Sequence, residues 1–137
     1  MKEATKKGKL DLSNTGKRKR AIARAVLVPG TGKITINGKT LEDYLGNRKL
    51  LQKRVAAPFE ACGIKDSYDV VVKVTGGGPV GQSEAIMYAI AKSLASLNEG
   101  NKKTLKAAEL LTRDARIKES KKYGRKKARK RFQFSKR

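Results

Sequence analysis

The chain has 137 residues, with 34 Lys and Arg against 12 Asp and Glu, and a formal net charge of +22. That length suits one domain with extensions, and that charge calls for an abundant polyanion as partner, which points to nucleic acid. The lack of histidine and the lone Cys62 exclude an internal disulfide, a His/Cys metal site and catalytic dyads that need imidazole, while no apolar run approaches the roughly 20 residues that cross a bilayer.

In chain order, Met1–Thr15 is polar and lysine-rich, shows no signal-peptide pattern, and is expected to be a flexible extension. Gly16-Lys17-Arg18-Lys19-Arg20 leads into a strand over Ala21–Val28, in which Ile22, Arg24, Val26 and Val28 share one face and Ala21, Ala23, Ala25 and Leu27 the other. Pro29–Gly32 is a turn and Lys33–Ile36 a short strand, so a hairpin is predicted here, ended by Asn37-Gly38. Thr40-Leu41-Glu42-Asp43 fits a capping box and predicts a short helix stopping at Gly46. Asn47 can cap a second helix over Arg48–Ala57 with Leu51 and Val55 inward; Pro58 is expected to end it and to open a single turn closed by Gly63. Cys62, among Phe59, Ala61 and Ile64, reads as a buried small hydrophobe rather than a reactive thiol.

Tyr68–Val74 alternates as a strand, with Tyr68, Val70, Val72 and Val74 on one side. A glycine-rich loop follows, and then a helix whose stripe is Ala85, Ile86, Ala89, Ile90, Ser93, Leu94 and Leu97. Its small residues would let it approach a sheet closely. Asn98–Gly100 is expected to end it, and Asn101 to cap another short helix reaching Leu111. Beyond Leu111 cations dominate and apolar residues are few, so 111–137 is expected to be a basic tail that orders on binding.

Three features could carry chemistry. The loop Gly76-Gly77-Gly78-Pro79-Val80-Gly81-Gln82-Ser83 comes within one residue of a P-loop, but Gln82 stands where the phosphate-reaching lysine is required. Such a loop, opening a helix, still suits an RNA phosphate; the plainer reading is a tight strand-to-helix turn. Pro29–Lys33 fails the phosphate-loop spacing and reads as a turn. In the tail, Lys121–Arg131 contains no acid, and Tyr123, Phe132 and Phe134 are interleaved with cations, which suits base stacking beside phosphate contacts; nuclear localisation is a competing use of such runs. The carboxylates form no convincing catalytic pair, and Glu84 is expected in the first turn of its helix, offsetting the dipole. No catalytic residue, metal ligand or cofactor is assigned.

Four stretches together resemble ribosomal protein nine of the small subunit, in its bacterial or organellar form. They are Gly16-Lys17-Arg18-Lys19 with Ala21, Ala23 and Arg24; Lys33–Gly38; Gly76-Gly77-Gly78, Gly81-Gln82, Ala85, Ala89, Ala91-Lys92 and Leu94; and Leu111–Arg116 with Lys121–Gly124 and the terminal Ser135-Lys136-Arg137. The resemblance implies an α+β fold, a small mixed sheet covered by helices with a left-handed βαβ crossover (like domain two of other translation proteins), plus an extended basic C-terminal tail. The implied organisation is a 1–15 extension, a 16–110 globular RNA-binding domain and a 111–137 tail.

The implied role is structural and not enzymatic. The family binds rRNA in the head of the small subunit beside neighbouring head proteins, with no membrane partner, in bacterial cytoplasm or an organelle. By position, rRNA contact falls on Lys17, Arg18, Lys19 and Arg20; on Gly76, Gly77, Gly78, Gly81 and Gln82; and on Arg113, Arg116, Lys121, Lys122, Arg125, Lys126, Lys127, Arg129, Lys130 and Arg131. Contact with peptidyl-site tRNA falls on Ser135, Lys136 and Arg137. Two departures stand out: Ser120 replaces a basic residue common in the family, and 1–15 has no general counterpart. The rival functions are a free-standing nucleic-acid chaperone or DNA-binding module, which the tail alone would support, and a small phosphotransferase built on the glycine loop.

Overall fold

Side-chain alternation along the long strands settles which face of the sheet is covered. In the computed structural model, which describes residues 12–136, the elements are β1 (Leu12–Arg18), β2 (Ala21–Pro29), β3 (Ile34–Ile36), β4 (Lys39–Thr40), α1 (Leu41–Leu45), α2 (Lys49–Cys62), β5 (Tyr68–Thr75), α3 (Pro79–Leu97) and α4 (Glu99–Ala107). Strand order is β1-β2-β5-β3-β4. Only β3 and β5 run parallel, so the sheet is mixed and the segment between them, carrying α1 and α2, is a crossover.

Ala21, Ala23, Ala25 and Leu27 of β2 and Val70, Val72 and Val74 of β5 are buried beneath the helices, while Ile22, Arg24, Val28, Val71 and Lys73 are exposed on the other face. The core on the helix side adds Ile36, Leu51, Val55, Ile86, Ile90, Leu94 and Leu105. Small residues on α3 do bring it close to the sheet, and the sheet answers with its own. A Cβ on Gly16 would lie 2.1 Å from the Ala85 carbonyl oxygen and 2.6 Å from the Ala89 nitrogen, so β1 meets the helix backbone directly. Buried Ser83 and Ser93 donate to the Val80 and Ala89 carbonyls, which removes the cost of an unpaired hydroxyl.

Several sequence expectations are corrected. β1 starts at Leu12, so Leu12–Thr15 of the expected extension lie in the sheet; Met1–Asp11 fall outside the described residues. The hairpin is β1–β2, closing from Arg18 opposite Ala21, not β2–β3. β5 pairs with both β2 and β3 and separates them, because its valine-rich run offers a longer apolar ladder than the three-residue β3.

Pro58 does not end α2, which runs on to Cys62 and stops at left-handed Gly63. A mid-helix proline forfeits one hydrogen bond at a cost of about 3 kcal/mol. Here the proline ring and the adjoining Phe59 are both buried, each contributing roughly 1.5–3 kcal/mol or somewhat less for the smaller ring. That helix starts after Arg48, without the side-chain cap expected of Asn47. The cap of α4 is Asn98, whose side chain accepts from Gly100 N–H at 3.0 Å, rather than Asn101. Thr40 caps α1 as expected, its hydroxyl accepting from Asp43 N–H at 3.2 Å, while the Asp43 carboxylate accepts from that hydroxyl at 2.7 Å. Cys62 is half-buried, and burial pushes its thiol up, away from the reactive thiolate.

Candidate nucleic-acid interface

The β1–β2 hairpin places Lys19 and Arg20 at its tip, both exposed, with Lys19 in the left-handed region at φ 51°. The glycine loop lies against that tip. Gly76 and Gly77 have φ of 71° and 69°, and a Cβ on Gly77 would stand 3.0 Å from the Ala21 nitrogen. Glycine is needed here both for the backbone angle and for the close approach.

Two side chains hold the loop from behind. Asn37 grips Val74 through both its amide oxygen and nitrogen, each at 3.0 Å, which fixes the end of β5. Gln82, expected to face RNA, instead donates to the Gly76 carbonyl at 3.1 Å and accepts from the Tyr44 hydroxyl at 2.9 Å. Gln82 therefore braces the loop, and Gly81 beside it is buried. The exposed surface of the loop is Gly76–Val80. The amides of Val80 and Gly81 precede the first helical bond of α3, which Gln82 N–H makes to Gly78 at 2.8 Å, so the helix presents partial positive charge there.

The tail comes to the same place. A groove of about 660 Å³ is walled by Lys19 and Arg20 of the hairpin tip, by the loop from Gly77 to Gly81, and by Ile117, Lys118 and Ser120 of the tail. Three segments far apart in sequence, each singled out for RNA contact, thus line one groove. Lys118 falls within the Arg113–Arg131 stretch expected to bind RNA, whereas Ile117, 71% exposed here, was not singled out, since a lone isoleucine among cations carries no local pattern. Ser120, the departure from the family pattern, sits in this wall.

A buried-edge ion network fastens the root of the tail. Arg18, expected to bind RNA, points its guanidinium inward: Nε donates to Glu84 at 2.6 Å, Nη2 pairs with Asp114 at 3.0 Å, and Nη1 donates to the Arg116 carbonyl at 2.6 Å. Arg54 of α2 holds the other oxygen of Glu84 at 2.7 Å. Glu84 is not in the first turn of α3, which begins at Pro79; it bridges hairpin and helices to the tail. Asp114 also receives the Arg116 guanidinium and backbone N–H, at 2.8 and 2.9 Å. Those Arg116 contacts, with Arg18 adding its charge, hold the Asp114 carboxyl far below the usual carboxylate range. Arg54 and its pairing with Glu84 were missed, since no local pattern links residues on different helices.

Past this clamp the described residues of the tail form no helix or strand. Glu119 binds Lys122 at 2.8 Å and Arg129 at 3.0 Å, which keeps its carboxyl below the ordinary value, Lys122 contributing most. Arg125 donates to the Arg129 carbonyl, and Lys126 lies over the Phe132 ring at 5.7 Å. Arg113, Lys121, Lys127, Lys130, Arg131 and Lys136 are exposed, as is Ser135. Tyr123 and Phe134 are 99% and 89% exposed, so their ring faces are available for stacking. Arg137 lies outside the described residues.

The sequence pattern of ribosomal protein S9/S16 matches residues 16–137. The chain is 53% identical over 123 residues to small ribosomal subunit protein uS9 of Leifsonia xyli subsp. xyli, covering 89% of this chain and 73% of that one. It is 50% identical to the uS9 of Thermosynechococcus vestitus, over 90% of both chains. Along its whole length, and the whole length of the relative, it is 47% identical to small ribosomal subunit protein uS9c of Gracilaria tenuistipitata var. liui.

Proposed function

The chain belongs to the ribosomal protein S9/S16 family and is a structural, non-enzymatic constituent of the small ribosomal subunit; on that premise we propose that it docks on rRNA of the subunit head and reaches peptidyl-site tRNA with its last residues. It works in ribosomes of bacterial type, in a bacterium or an organelle.

The observation that carries the proposal is the shared groove. The hairpin tip, the glycine loop and the start of the tail converge there with Lys19, Arg20 and Lys118 around it. An RNA phosphate bound in this groove meets cations, glycine backbone and a helix start together. Lys17 flanks the tip, and Arg113 flanks the clamp.

The globular part docks by shape and backbone contact, while 111–137 fills an electronegative channel in RNA. Arg18, Arg116 and Gln82 contribute by holding the tail and loop in place. Lys121, Lys122, Arg125, Lys126, Lys127, Arg129, Lys130 and Arg131 supply phosphate contacts, with Lys122 and Arg129 exchanging Glu119 for phosphate. If the tail neutralises about six phosphates, binding of the free chain weakens with a log–log salt slope of roughly −4.

Ser135, Lys136 and Arg137 approach the anticodon stem-loop of the tRNA. The test is their deletion in assembled subunits. Subunit assembly stays near normal, and retention of peptidyl-site tRNA falls. Loss of assembly, or unchanged tRNA retention, would sink this division of labour.

A further inference from the structure

The helices cover one face of the sheet, and the other face carries its own charge pattern. Arg24 of β2 and Lys73 of β5 are register partners on that exposed face. Two like charges directly opposite on neighbouring strands destabilise a sheet. Neither Arg24 nor Lys73 has an ion-pair partner among the described residues. The acid that shares this side of β5, Asp69, lies four residues from Lys73, roughly 13 Å along the strand. It is also committed elsewhere, accepting from the Lys33 and Thr31 backbone N–H groups at 2.9 and 2.8 Å, which lowers its pKa.

The surroundings of the pair are flat. Its neighbours on the face are Ile22, Val26, Val71 and Thr75, and Val71 is 48% exposed. These short β-branched side chains leave the cations as the projecting groups. The face is also continuous with the hairpin tip: Ile22 pairs with Lys17 on one side and with Thr75, next to Gly76, on the other.

We infer that this uncovered face, centred on Arg24 and Lys73, is a second RNA-binding surface that takes the phosphate backbone of a strand running on from the hairpin tip. The inference rests on the ribosomal reading above and adds a surface to it. RNA is favoured over an apolar protein partner because a polyanion relieves the Arg24–Lys73 repulsion at both cations at once. It also meets two cations of one sign at the centre of the face, while Asp69 at the far end is held by the Lys33 and Thr31 backbone N–H groups. No aromatic ring stands on the face, so it serves backbone and not base recognition.

The test uses the full-length chain and small-subunit rRNA transcribed in vitro. Arg24→Gln with Lys73→Gln is compared with a tail variant, Lys127→Gln with Lys130→Gln. The face variant should bind RNA more weakly, with a salt slope shallower by about 1.4 if both contacts are lost from single-stranded RNA. Its thermal unfolding midpoint should stay level or rise, since a repulsive pair has gone. A lower midpoint would overturn the premise that these cations repel.

An unchanged slope in the face variant, beside a shallower one in the tail variant, would overturn this surface and leave the ribosomal reading intact. Unchanged slopes in both would remove the electrostatic account altogether. A photoreactive group attached through Val71→Cys in assembled subunits supplies a second readout. Crosslinks to rRNA support the inference, and crosslinks confined to a protein neighbour overturn it.

Discussion

The body from Leu12 to Leu110 and the tail beyond it are both strongly basic, yet they are held by different forces. In the body, apolar alternation on β2 and β5 and the stripe of α3 bury a continuous core, worth roughly 25 cal/mol for each Å² of apolar surface removed from water. In the tail the rings that could be buried, Tyr123 and Phe134, are almost wholly exposed. Its order past the clamp depends on charged hydrogen bonds to one carboxylate, Glu119. Burial offsets the entropy of ordering a chain, whereas exposed ion pairs contribute little. The body therefore has a core of its own, and the tail is held by exposed polar contacts. The clamp of Arg18, Glu84, Arg54 and Asp114 is where one regime hands over to the other.

Gly16→Val is the strongest way to break the body while sparing the tail. The new Cβ meets the backbone of Ala85 and Ala89, which cannot step aside as a side chain would. Overpacking of this kind costs about 3 kcal/mol or more, read as a large drop in the denaturant midpoint. A loss below about 1 kcal/mol would mean that β1 is not packed directly on α3.

Gly77→Val comes next. It combines a positive φ with a 3.0 Å approach to Ala21, and strain of this kind costs about 1–3 kcal/mol. Its distinctive effect is weaker RNA docking, because the loop belongs to the groove; normal incorporation into subunits would reduce the loop to a turn.

Arg18→Ala tests the hand-over. The Arg18 and Glu84 side chains are 14% and 25% exposed, between a surface pair and a buried one, so a loss of roughly 1–2 kcal/mol is expected. Trypsin should cut the free chain faster after Lys118 and Lys121 than in the parent. Unchanged cleavage there would show that the clamp does not restrain the tail.

Acid titration separates the regions more finely. Asp114, Asp69 and Glu119 all have folded pKa values lowered by donors. Their stabilisation is therefore fully present above the unfolded carboxylate range and is lost as pH falls through the folded values. Stability should be flat from neutral pH to about 5 as far as these three groups are concerned. Below that the Asp114 clamp should persist to the lowest pH, since its carboxyl is held furthest down. Release of the tail near neutral pH, followed by tail-specific fluorescence, would contradict the pairing.

Much of the fold was legible because it follows from local periodicity. Alternation found β2 and β5, helical spacing found α3, and a capping box found α1. The expectation of a tail came from charge and from the scarcity of apolar residues beyond Leu111, which leaves that segment little to bury. The misses are of another kind. β1 was hidden because Leu12–Arg18 is a largely polar edge strand, without the alternation that marks a half-buried one. The β2–β3 hairpin was the natural local pairing, and only the competing strand β5, decades of residues away, displaced it. Pro58 carries a strong local signal to stop, overridden by the burial of its ring.

The candidate site divides along the same line. The sequence by itself determined which residue types are proposed to face RNA: cations without acids, glycines before a helix, rings without a core. Tertiary structure decided which of them are free to do so. It turned Arg18 inward to Glu84 and Asp114, spent Gln82 on the loop, and drew the hairpin tip, loop and tail root into one groove. It also set Arg24 against Lys73, on strands that no local pattern pairs. The physical reason is that charge and periodicity are properties of neighbouring residues, whereas an ion pair or a strand register depends on which distant segment the core brings alongside.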